Sequence, residues 1–170
     1  MATIKQLLNA RYGKHKSIGD SNEVHSTIEG LLSRHSIRSY KEKAISEEHL
    51  ELLLACAQSA PTKSNLQQYS IIVVQDQGIR EQLAPWCPRT NGLEEKPLLL
   101  VFCADIRRNQ RIGQFHQRPH VNNNMDTFLN GVVDAALALG FFVIAAEASG
   151  LGTAPLSSLR DNIHAVTSIL

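Results

Sequence analysis

The sequence predicts an α+β fold in which helices cover both faces of a β-sheet. The first supporting observation is an apolar stripe at helical spacing in residues 50–57. The second is a pair of continuous apolar, β-prone runs at residues 69–74 and 98–104, a pattern typical of strands that are covered on both faces. The third is a long apolar segment at residues 125–146 with helical periodicity.

The N-terminal part of the chain predicts two short helices. Residues 3–12 place apolar side chains on one side of a helix, and residues 13–22 are polar and predict a loop. Ser26 and Glu29 have the S-x-x-E spacing of a capping box. We therefore expect a second short helix that continues through residues 31–32.

A third helix is predicted between Ser46 and Pro61. Ser46 is a good N-cap residue, and Glu47 and Glu48 would lie favourably in the first turn, close to the positive end of the helix dipole. The apolar stripe at 50–57 gives this helix one buried face. Pro61 is expected to end it, because proline cannot continue the backbone hydrogen bonding.

The pattern then changes from helical spacing to continuous apolar runs. Residues 69–74 and 98–104 predict two strands, and residues 79–83 between them can form a helical turn or two. The polar, arginine-rich stretch at 106–124 predicts a loop or an exposed helix.

A long helix is predicted from residue 125 to residue 146, with Gly150 as its C′ residue. Its later half, residues 137–146, is apolar all round and should be buried on every side. A chain of this size cannot easily surround such a helix, so we expect a subunit interface to cover part of it.

Length and charge exclude several classes of protein. The chain has 170 residues, which suits one domain that buries roughly 70% of its unfolded surface. With 43% hydrophobic residues it is too apolar for a disordered chain. A formal net charge of +1 argues against a general nucleic-acid binder, which needs many uncompensated cations.

The cysteines and the apolar stretches predict a cytoplasmic location. Cys56, Cys87 and Cys103 are odd in number and far apart, which favours neither a disulfide framework nor a zinc site. Residues 1–16 lack the apolar core of a secretory signal. The apolar stretch at 132–146 is shorter than the roughly 20 residues that cross a bilayer, so no membrane partner is expected.

Two weak motifs are set aside. Gly150 and Gly152 follow a helix, and Pro155 occupies the last glycine position of the dinucleotide fingerprint, so the context is inverted. His116 and His120 have the spacing of zinc ligands on a helix, but no carboxylate lies nearby in the sequence. We interpret that stretch as a solvated basic segment and expect no metal.

Three polar clusters remain as candidates for a binding site. The first cluster, residues 34–38 (RHSIR), offers fork-like donors that suit a phosphate monoester. The second cluster, residues 60–67 (APTKSNLQ), lies between a helix end and an apolar strand, and the third, residues 152–160 (GTAPLSSLR), follows the long helix. Ordinary polar turns can have the same composition. A further group of four arginines at 107–118 either lies in a solvated loop or attracts a phosphorylated ligand.

Taken together and in this order, the clusters resemble the nitroreductase family of FMN-dependent oxidoreductases. The resemblance runs over residues 31–162 and is carried by RHSIR, by APTKSNLQ leading into YSIIVV, by VFCAD, and by DAALALGFFVIAAEASGLGTAPLSSLRDN. It implies a three-layer α-β-α sandwich with a mixed, mostly antiparallel sheet, formed as a homodimer. It divides the chain into an N-terminal helical extension and loop at 1–25 and an FMN-binding domain at 26–170.

The resemblance also implies which residues bind the cofactor. In the first cluster they are Arg34, His35, Ser36 and Arg38, which would hold the phosphate and ribityl chain of FMN. From the other subunit, Pro61, Thr62, Lys63 and Asn65 would contact the same flavin. Asn91 would lie near the flavin ring as an amide partner. Pro155, Leu156, Ser157 and Ser158 would run beside the ring, although the family often has glycines at the last two positions.

The implied function is the transfer of a hydride from NAD(P)H via FMN to small electrophilic acceptors, such as nitro compounds, quinones or flavins, by a ping-pong mechanism. No acid, base or nucleophile of the protein is required, because the cofactor carries the chemistry. Family chains usually continue past the position of Leu170, so the domain is expected to be C-terminally incomplete.

Two other functions stay open on the sequence. A flavin-binding carrier or sensor without reductase turnover would have the same binding residues. A non-catalytic interaction module would use the apolar helix and the arginines at 107–118, but the near-neutral net charge favours it least.

Overall fold

The structure, a computed structural model, describes residues 3–13, 24–118 and 124–170. Within these ranges the chain forms seven α-helices and two strands: α1 (Ile4–Tyr12), α2 (Ser26–Ser33), α3 (Glu47–Gln58), β1 (Tyr69–Val73), α4 (Gln77–Leu83), β2 (Leu100–Ala104), α5 (Arg107–Phe115), α6 (Met125–Ala148) and α7 (Ile163–Ile169). Short 3₁₀ turns occupy Lys63–Asn65, Ala84–Trp86 and Ser158–Asn162. The loop expected at 13–22 lies almost entirely outside the described residues.

The two strands of the described chain pair antiparallel. Ile71 lies opposite Phe102, and Ile72 lies opposite Val101. Because successive side chains of a strand point to opposite faces, each of these pairs belongs to a different face of the sheet. Both faces are apolar, so both require a covering layer.

Helices cover both faces, and the predicted three-layer α+β arrangement is confirmed. On one face, Ile71 and Phe102 pack against Leu53 of α3 and Phe142 of α6. The rings of Phe102 and Phe142 meet edge to face with their centroids 5.8 Å apart. On the other face, Ile72 and Val101 pack against a core formed from α4, α7 and the segment between α4 and β2, with buried residues Val74, Leu83, Cys87, Leu93 and Val166.

Helix N-caps account for most of the element boundaries. As predicted, the Ser46 hydroxyl accepts from the His49 N–H at the start of α3. The predicted helix α2 is confirmed, but its predicted capping box is wrong: the N-cap is His25, whose Nδ1 accepts from the Thr27 N–H, and Ser26 is already the first helical residue. The helix therefore begins one residue earlier than a Ser26–Glu29 capping box would place it.

The long helix α6 is buried on one face only. Its C-terminus forms the predicted glycine turn: Gly150 has φ +79°, and the Leu151 N–H donates to the Ala146 carbonyl at 2.9 Å. One face packs on α3 and the sheet and includes Ala135, Ala138, Phe142 and Ala146. The other face carries exposed apolar side chains, so one chain alone does not surround the helix, as predicted.

The same helix begins at Met125, as predicted, and continues two residues past the predicted end, to Ala148. With 24 residues it has the length and hydropathy of a membrane-crossing helix. Core helices of folded domains share these properties, and the buried face of α6 carries the carboxylate of Asp134 and packs on the sheet.

Candidate functional site

The first and third clusters lie side by side. The Ile37 N–H donates to the Thr153 carbonyl at 2.8 Å. The two backbones approach closely because residue 152 is glycine: a Cβ atom there would lie 2.7 Å from Ile37 Cβ. The third cluster is irregular until its 3₁₀ turn begins at Ser158.

We therefore expect Gly152→Ala to destabilise the protein. An added Cβ must displace Ile37, and overpacking of this kind costs about 1–3 kcal/mol. For a domain of this size the melting temperature should fall by roughly 2–10 °C in a thermal scan. Gly30→Ala is the matched control, because no atom of the described residues lies within 4 Å of its added Cβ on the exposed surface of α2. An equal change of melting temperature in the two variants would contradict the close approach of residue 152 to Ile37.

Glu147 clamps the two clusters together from the end of α6. Its carboxylate accepts from Arg34 Nε at 3.1 Å and Nη2 at 3.1 Å, and from the Thr153 hydroxyl at 2.6 Å. The ion pair is partly buried, with 27% of the Arg34 side chain and 19% of the Glu147 side chain exposed. A bidentate pair in this setting fixes the direction of the Arg34 guanidinium.

Arg11 of α1 holds the same turn from its other side. Its Nη1 donates to the carbonyls of Leu32 and Arg34 at 3.0 and 2.9 Å. These carbonyls belong to the end of α2, where backbone acceptors lack helical partners. The N-terminal helix thus helps to shape the first cluster.

A cavity of about 440 Å³ opens beside the first cluster. It is lined by Arg38, Ser39, Tyr40, Arg89, Thr90, Asn91 and Lys96. Within the described parts of the chain, none of its three cations forms an ion pair with a carboxylate. Uncompensated positive charge in a concave site attracts anions.

Tyr40 forms one wall of this cavity and is fixed in place. Its hydroxyl donates to the Ile37 carbonyl at 2.6 Å, and Lys96 Nζ lies 5.8 Å from the centre of its ring. Burial raises the pKa of Tyr40, and the nearby Arg38 offsets part of that rise. The phenol therefore stays protonated at neutral pH and remains a hydrogen-bond donor.

The second cluster is held in an unusual backbone conformation. Ser64, Asn65 and Gln67 have φ values of 51°, 54° and 49°, in the left-handed region that favours glycine. For residues with a Cβ this conformation costs roughly 1–2 kcal/mol each. Surrounding contacts must offset that cost, and such strain is concentrated at functional loops.

Asp134 supplies the main contacts that hold this loop. Only 1% of the residue is exposed, and its two carboxylate oxygens accept from the backbone N–H groups of Lys63 and Gln68 at 3.1 and 3.0 Å. The carboxylate thus spans the strained segment at both ends.

Helix α5 supports the loop from outside. The Arg108 guanidinium donates to the Gln67 carbonyl, and Asn109 Nδ2 donates to the Leu66 carbonyl at 3.1 Å. A cavity of about 320 Å³, lined by Leu54, Gln58, Gln67, Tyr69, Ser70, Ile71 and Arg108, lies at this junction. The arginine-rich stretch is therefore a helix attached to the second cluster.

Within one chain, the candidate residues form two groups. Arg34, His35, Ser36 and Arg38 lie with Asn91 and with the third cluster, which includes Pro155, Leu156, Ser157 and Ser158. Pro61, Thr62, Lys63 and Asn65 lie in the other group, and no hydrogen bond among the described residues joins the two.

Sequence reasoning missed Glu147 and Asp134 as parts of the site. The available signal was a carboxylate within an otherwise apolar helix, since such groups are buried only when they have partners.

The described residues include no group of three or more His, Cys, Asp or Glu side chains that could hold a metal ion. His120, one half of the weak histidine motif, lies outside them.

Comparison with known sequences gives consistent matches. A sequence profile described as the Nitroreductase family matches residues 31–170. The FMN reductase (NAD(P)H) of Bacillus subtilis is 34% identical over 151 residues, which cover 88% of this chain and 59% of the relative. The oxygen-insensitive NADPH nitroreductase of Salmonella typhimurium is 33% identical over 144 residues, which cover 85% of this chain and 58% of the relative. The chain thus spans about three fifths of the length of these curated relatives.

Solved structures with the same arrangement include the NfrA1 nitroreductase of B. subtilis. It superposes with a TM-score of 0.80 at 34% identity, over 84% of this chain and 59% of that one. The NADPH:FMN oxidoreductase of Vibrio harveyi complexed with NAD+ superposes with a TM-score of 0.78 at 29% identity, over 85% and 61% of the two chains.

Proposed function

Because the chain belongs to the nitroreductase family, we propose that it acts as an FMN-dependent oxidoreductase that passes a hydride from NAD(P)H via the flavin to small electrophilic acceptors. Nitro compounds, quinones and flavins are the acceptor classes. The reductant and the acceptor use the same place in turn, which makes the kinetics ping-pong. The names of the curated relatives, an FMN reductase and an NADPH nitroreductase, support this assignment.

The observation that carries the proposal is the cation-lined cavity beside the first cluster. Its volume of about 440 Å³ falls within the range of roughly 300–1,000 Å³ that is usual for cofactor sites. Arg38, Arg89 and Lys96 supply positive charge for a phosphate, and Asn91 supplies an amide. Thr90, which also lines the cavity, has a buried hydroxyl oxygen without a hydrogen-bond partner in the described residues. These residues fit a flavin mononucleotide.

Bound FMN supplies two-electron transfer between a reduced nicotinamide and an acceptor, and the protein contributes position and electrostatics. Arg38 would bind the anionic end of the cofactor, and Asn91 would hydrogen-bond its ring. Glu147 would hold Arg34 and Thr153 together through its hydrogen bonds, so that the third cluster lies beside the flavin ring. Tyr40 would hold the cavity wall by its hydrogen bond to the Ile37 carbonyl.

The second cluster would complete the site in a homodimer. It lies apart from the first and third clusters in one chain, so a partner subunit must bring it to the flavin. The exposed face of α6 supports such a dimer, because Phe128, Val132, Val133, Leu137, Phe141 and Ile144 are between 36% and 57% exposed. An apolar stripe of this length on one helix is typical of a subunit interface.

Titration with FMN tests the proposed cofactor. The purified chain should quench flavin fluorescence saturably, and Arg38→Ala should raise the dissociation constant roughly tenfold, since a hydrogen bond to a charged group is worth about 1.5–3 kcal/mol. Lys43→Ala, an exposed cation outside the cavity, should stay within about twofold of the wild type.

Addition of NADPH without oxygen then tests turnover: bound flavin should lose its visible absorbance. A chain that binds no FMN would overturn the cofactor assignment. Bound flavin that NADPH does not bleach would instead favour the carrier or sensor function.

Light scattering after size-exclusion chromatography tests the dimer. The wild type should elute at twice the chain mass of 18.8 kDa. Val133→Glu, at a position that is 54% exposed on α6, should give monomers because it places a charge in the apolar interface. Ile163→Glu, at an exposed apolar position on α7, should remain dimeric, and a monomeric wild type would contradict the proposal.

The proposed location is the cytoplasm. All three cysteines are free thiols, and Cys87 is fully buried. Burial raises the pKa of the Cys103 thiol, and the charge of Asp105 raises it further, so this thiol stays protonated at neutral pH. Unpaired thiols are typical of a reducing compartment.

A further inference from the structure

The outer face of α5 combines positive charge with an exposed aromatic ring. Asn109, Gln110 and Gly113 are partly buried, and the opposite side of the helix carries Arg107 and Arg111. Phe115 continues this row at the same four-residue spacing and is 83% exposed. Residues four apart lie above one another on a helix, so the three side chains form one stripe.

Positive charge exceeds negative charge along this stripe and beside it in the sequence. Residues 106–118 contain four arginines and no Asp or Glu. Asp105, directly before this stretch, accepts from the Ser70 hydroxyl and from the Arg107 backbone N–H at 2.8 Å, and its charge interacts with the guanidiniums of Arg108 and Arg107. Neither the Arg107 nor the Arg111 guanidinium has a hydrogen-bond or ion-pair partner within the described chain.

Such a stripe matches the chemistry of a nucleotide. Guanidinium groups bind phosphates with paired donors, and an exposed aromatic ring stacks on a base. The stripe from Arg107 to Phe115 spans about 12 Å of helix, long enough for phosphate groups at one end and a base at the other. The Phe115 ring is also held edge to face by the His116 ring, with centroids 5.1 Å apart.

From this arrangement we infer that the outer face of α5 binds the adenylate end of the reducing dinucleotide, with phosphate groups on Arg107 and Arg111 and the adenine ring on Phe115. The inference rests on the proposed function, because that function supplies the dinucleotide. Helix α5 is attached to the carbonyls of Leu66 and Gln67. A nucleotide on α5 therefore lies next to the second cluster, from which its nicotinamide end can reach the flavin.

Calorimetric titration with 2′,5′-ADP tests this site without any redox step. The full chain should bind this nucleotide, and Arg107→Gln/Arg111→Gln should weaken binding roughly tenfold or more. Phe115→Ala should weaken it about fivefold or more, since a stacked base depends on the ring. Affinity should also fall as salt is raised, because the contacts are between exposed charges.

Matched variants separate this site from general charge effects. Lys41→Gln/Lys43→Gln removes the same number of charges elsewhere, and Tyr12→Ala removes another exposed aromatic ring, 65% accessible on α1. Both should keep the wild-type affinity. Loss of affinity in these controls, or none in the α5 variants, would overturn the inference. A change of oligomeric state in the α5 variants would also overturn the inference, because it would show that the stripe belongs to a protein–protein contact.

These measurements distinguish a wrong α5 site from a wrong proposed function. Saturating FMN should leave the 2′,5′-ADP affinity unchanged, because the flavin occupies a different place. If FMN binds and NADPH bleaches it while the α5 variants bind 2′,5′-ADP normally, only the α5 site is wrong. If FMN does not bind at all, the proposed function is wrong whatever α5 does.

Discussion

Asp134→Ala is expected to lower the unfolding free energy by about 3 kcal/mol, because two backbone N–H groups lose a charged acceptor and each such bond is worth roughly 1.5–3 kcal/mol. The groups are the amides of Lys63 and Gln68, at the two ends of the strained second cluster. Without the carboxylate, nothing else in the described chain accepts from these two N–H groups. Urea unfolding measures the loss, and amide hydrogen exchange should quicken selectively at Lys63 and Gln68.

Two further variants sharpen this test. Asp134→Asn keeps one oxygen acceptor but turns an amide NH2 toward the other N–H, so it should give an intermediate loss. Asp126→Ala removes an exposed carboxylate from the same helix; among the described residues, the hydrogen-bond donor to this carboxylate is Asn130 Nδ2. Its effect should stay within about 0.5 kcal/mol. Unchanged exchange at both amides in Asp134→Ala would show that the carboxylate does not hold the loop.

Glu147→Ala is expected to lower the unfolding free energy by roughly 1–2 kcal/mol and to weaken FMN binding about tenfold. The stability loss comes from charge-assisted hydrogen bonds to Arg34, discounted because both side chains are partly exposed. The binding loss follows because the first and third clusters are no longer clamped together. Chemical unfolding and flavin fluorescence titration measure the two effects.

A double-mutant cycle isolates the interaction energy between Arg34 and Glu147 from their other contacts. Arg34→Met, Glu147→Leu and the double variant should reveal a coupling energy of about 1 kcal/mol. Glu51→Ala, an exposed carboxylate on α3, serves as the control and should change neither stability nor FMN affinity appreciably. A coupling energy of zero would mean that Glu147 does not position Arg34.

Much of the fold follows from local patterns in the sequence. The Ser46 cap, the two apolar runs that became β1 and β2, and the Gly150 turn are all confirmed. Each depends on a few neighbouring residues and on the contrast between helical and strand spacing. The error at Ser26 has a local cause too: the histidine before it supplies a ring nitrogen as the cap.

The candidate site was predictable only in part. The first cluster was found because its donors are adjacent in sequence. The sequence did not reveal that Glu147 engages Arg34 and Thr153, or that Asp134 engages Lys63 and Gln68. Asp134 lies 66 residues from Gln68 and Glu147 lies 113 from Arg34, so no local pattern connects them.

Side-chain type and short-range spacing were enough to predict the helices and strands, the two-sided burial of the strands and the chemical character of the three clusters. The packing of distant segments places the first and third clusters side by side and places the second cluster against α5. This packing depends on α6, because one rigid helix carries both carboxylates: Asp134 holds the second cluster, and Glu147, near the other end of the helix, holds the first and third. The positions of those clusters are therefore set by how α6 packs against the sheet, which is a property of the whole fold.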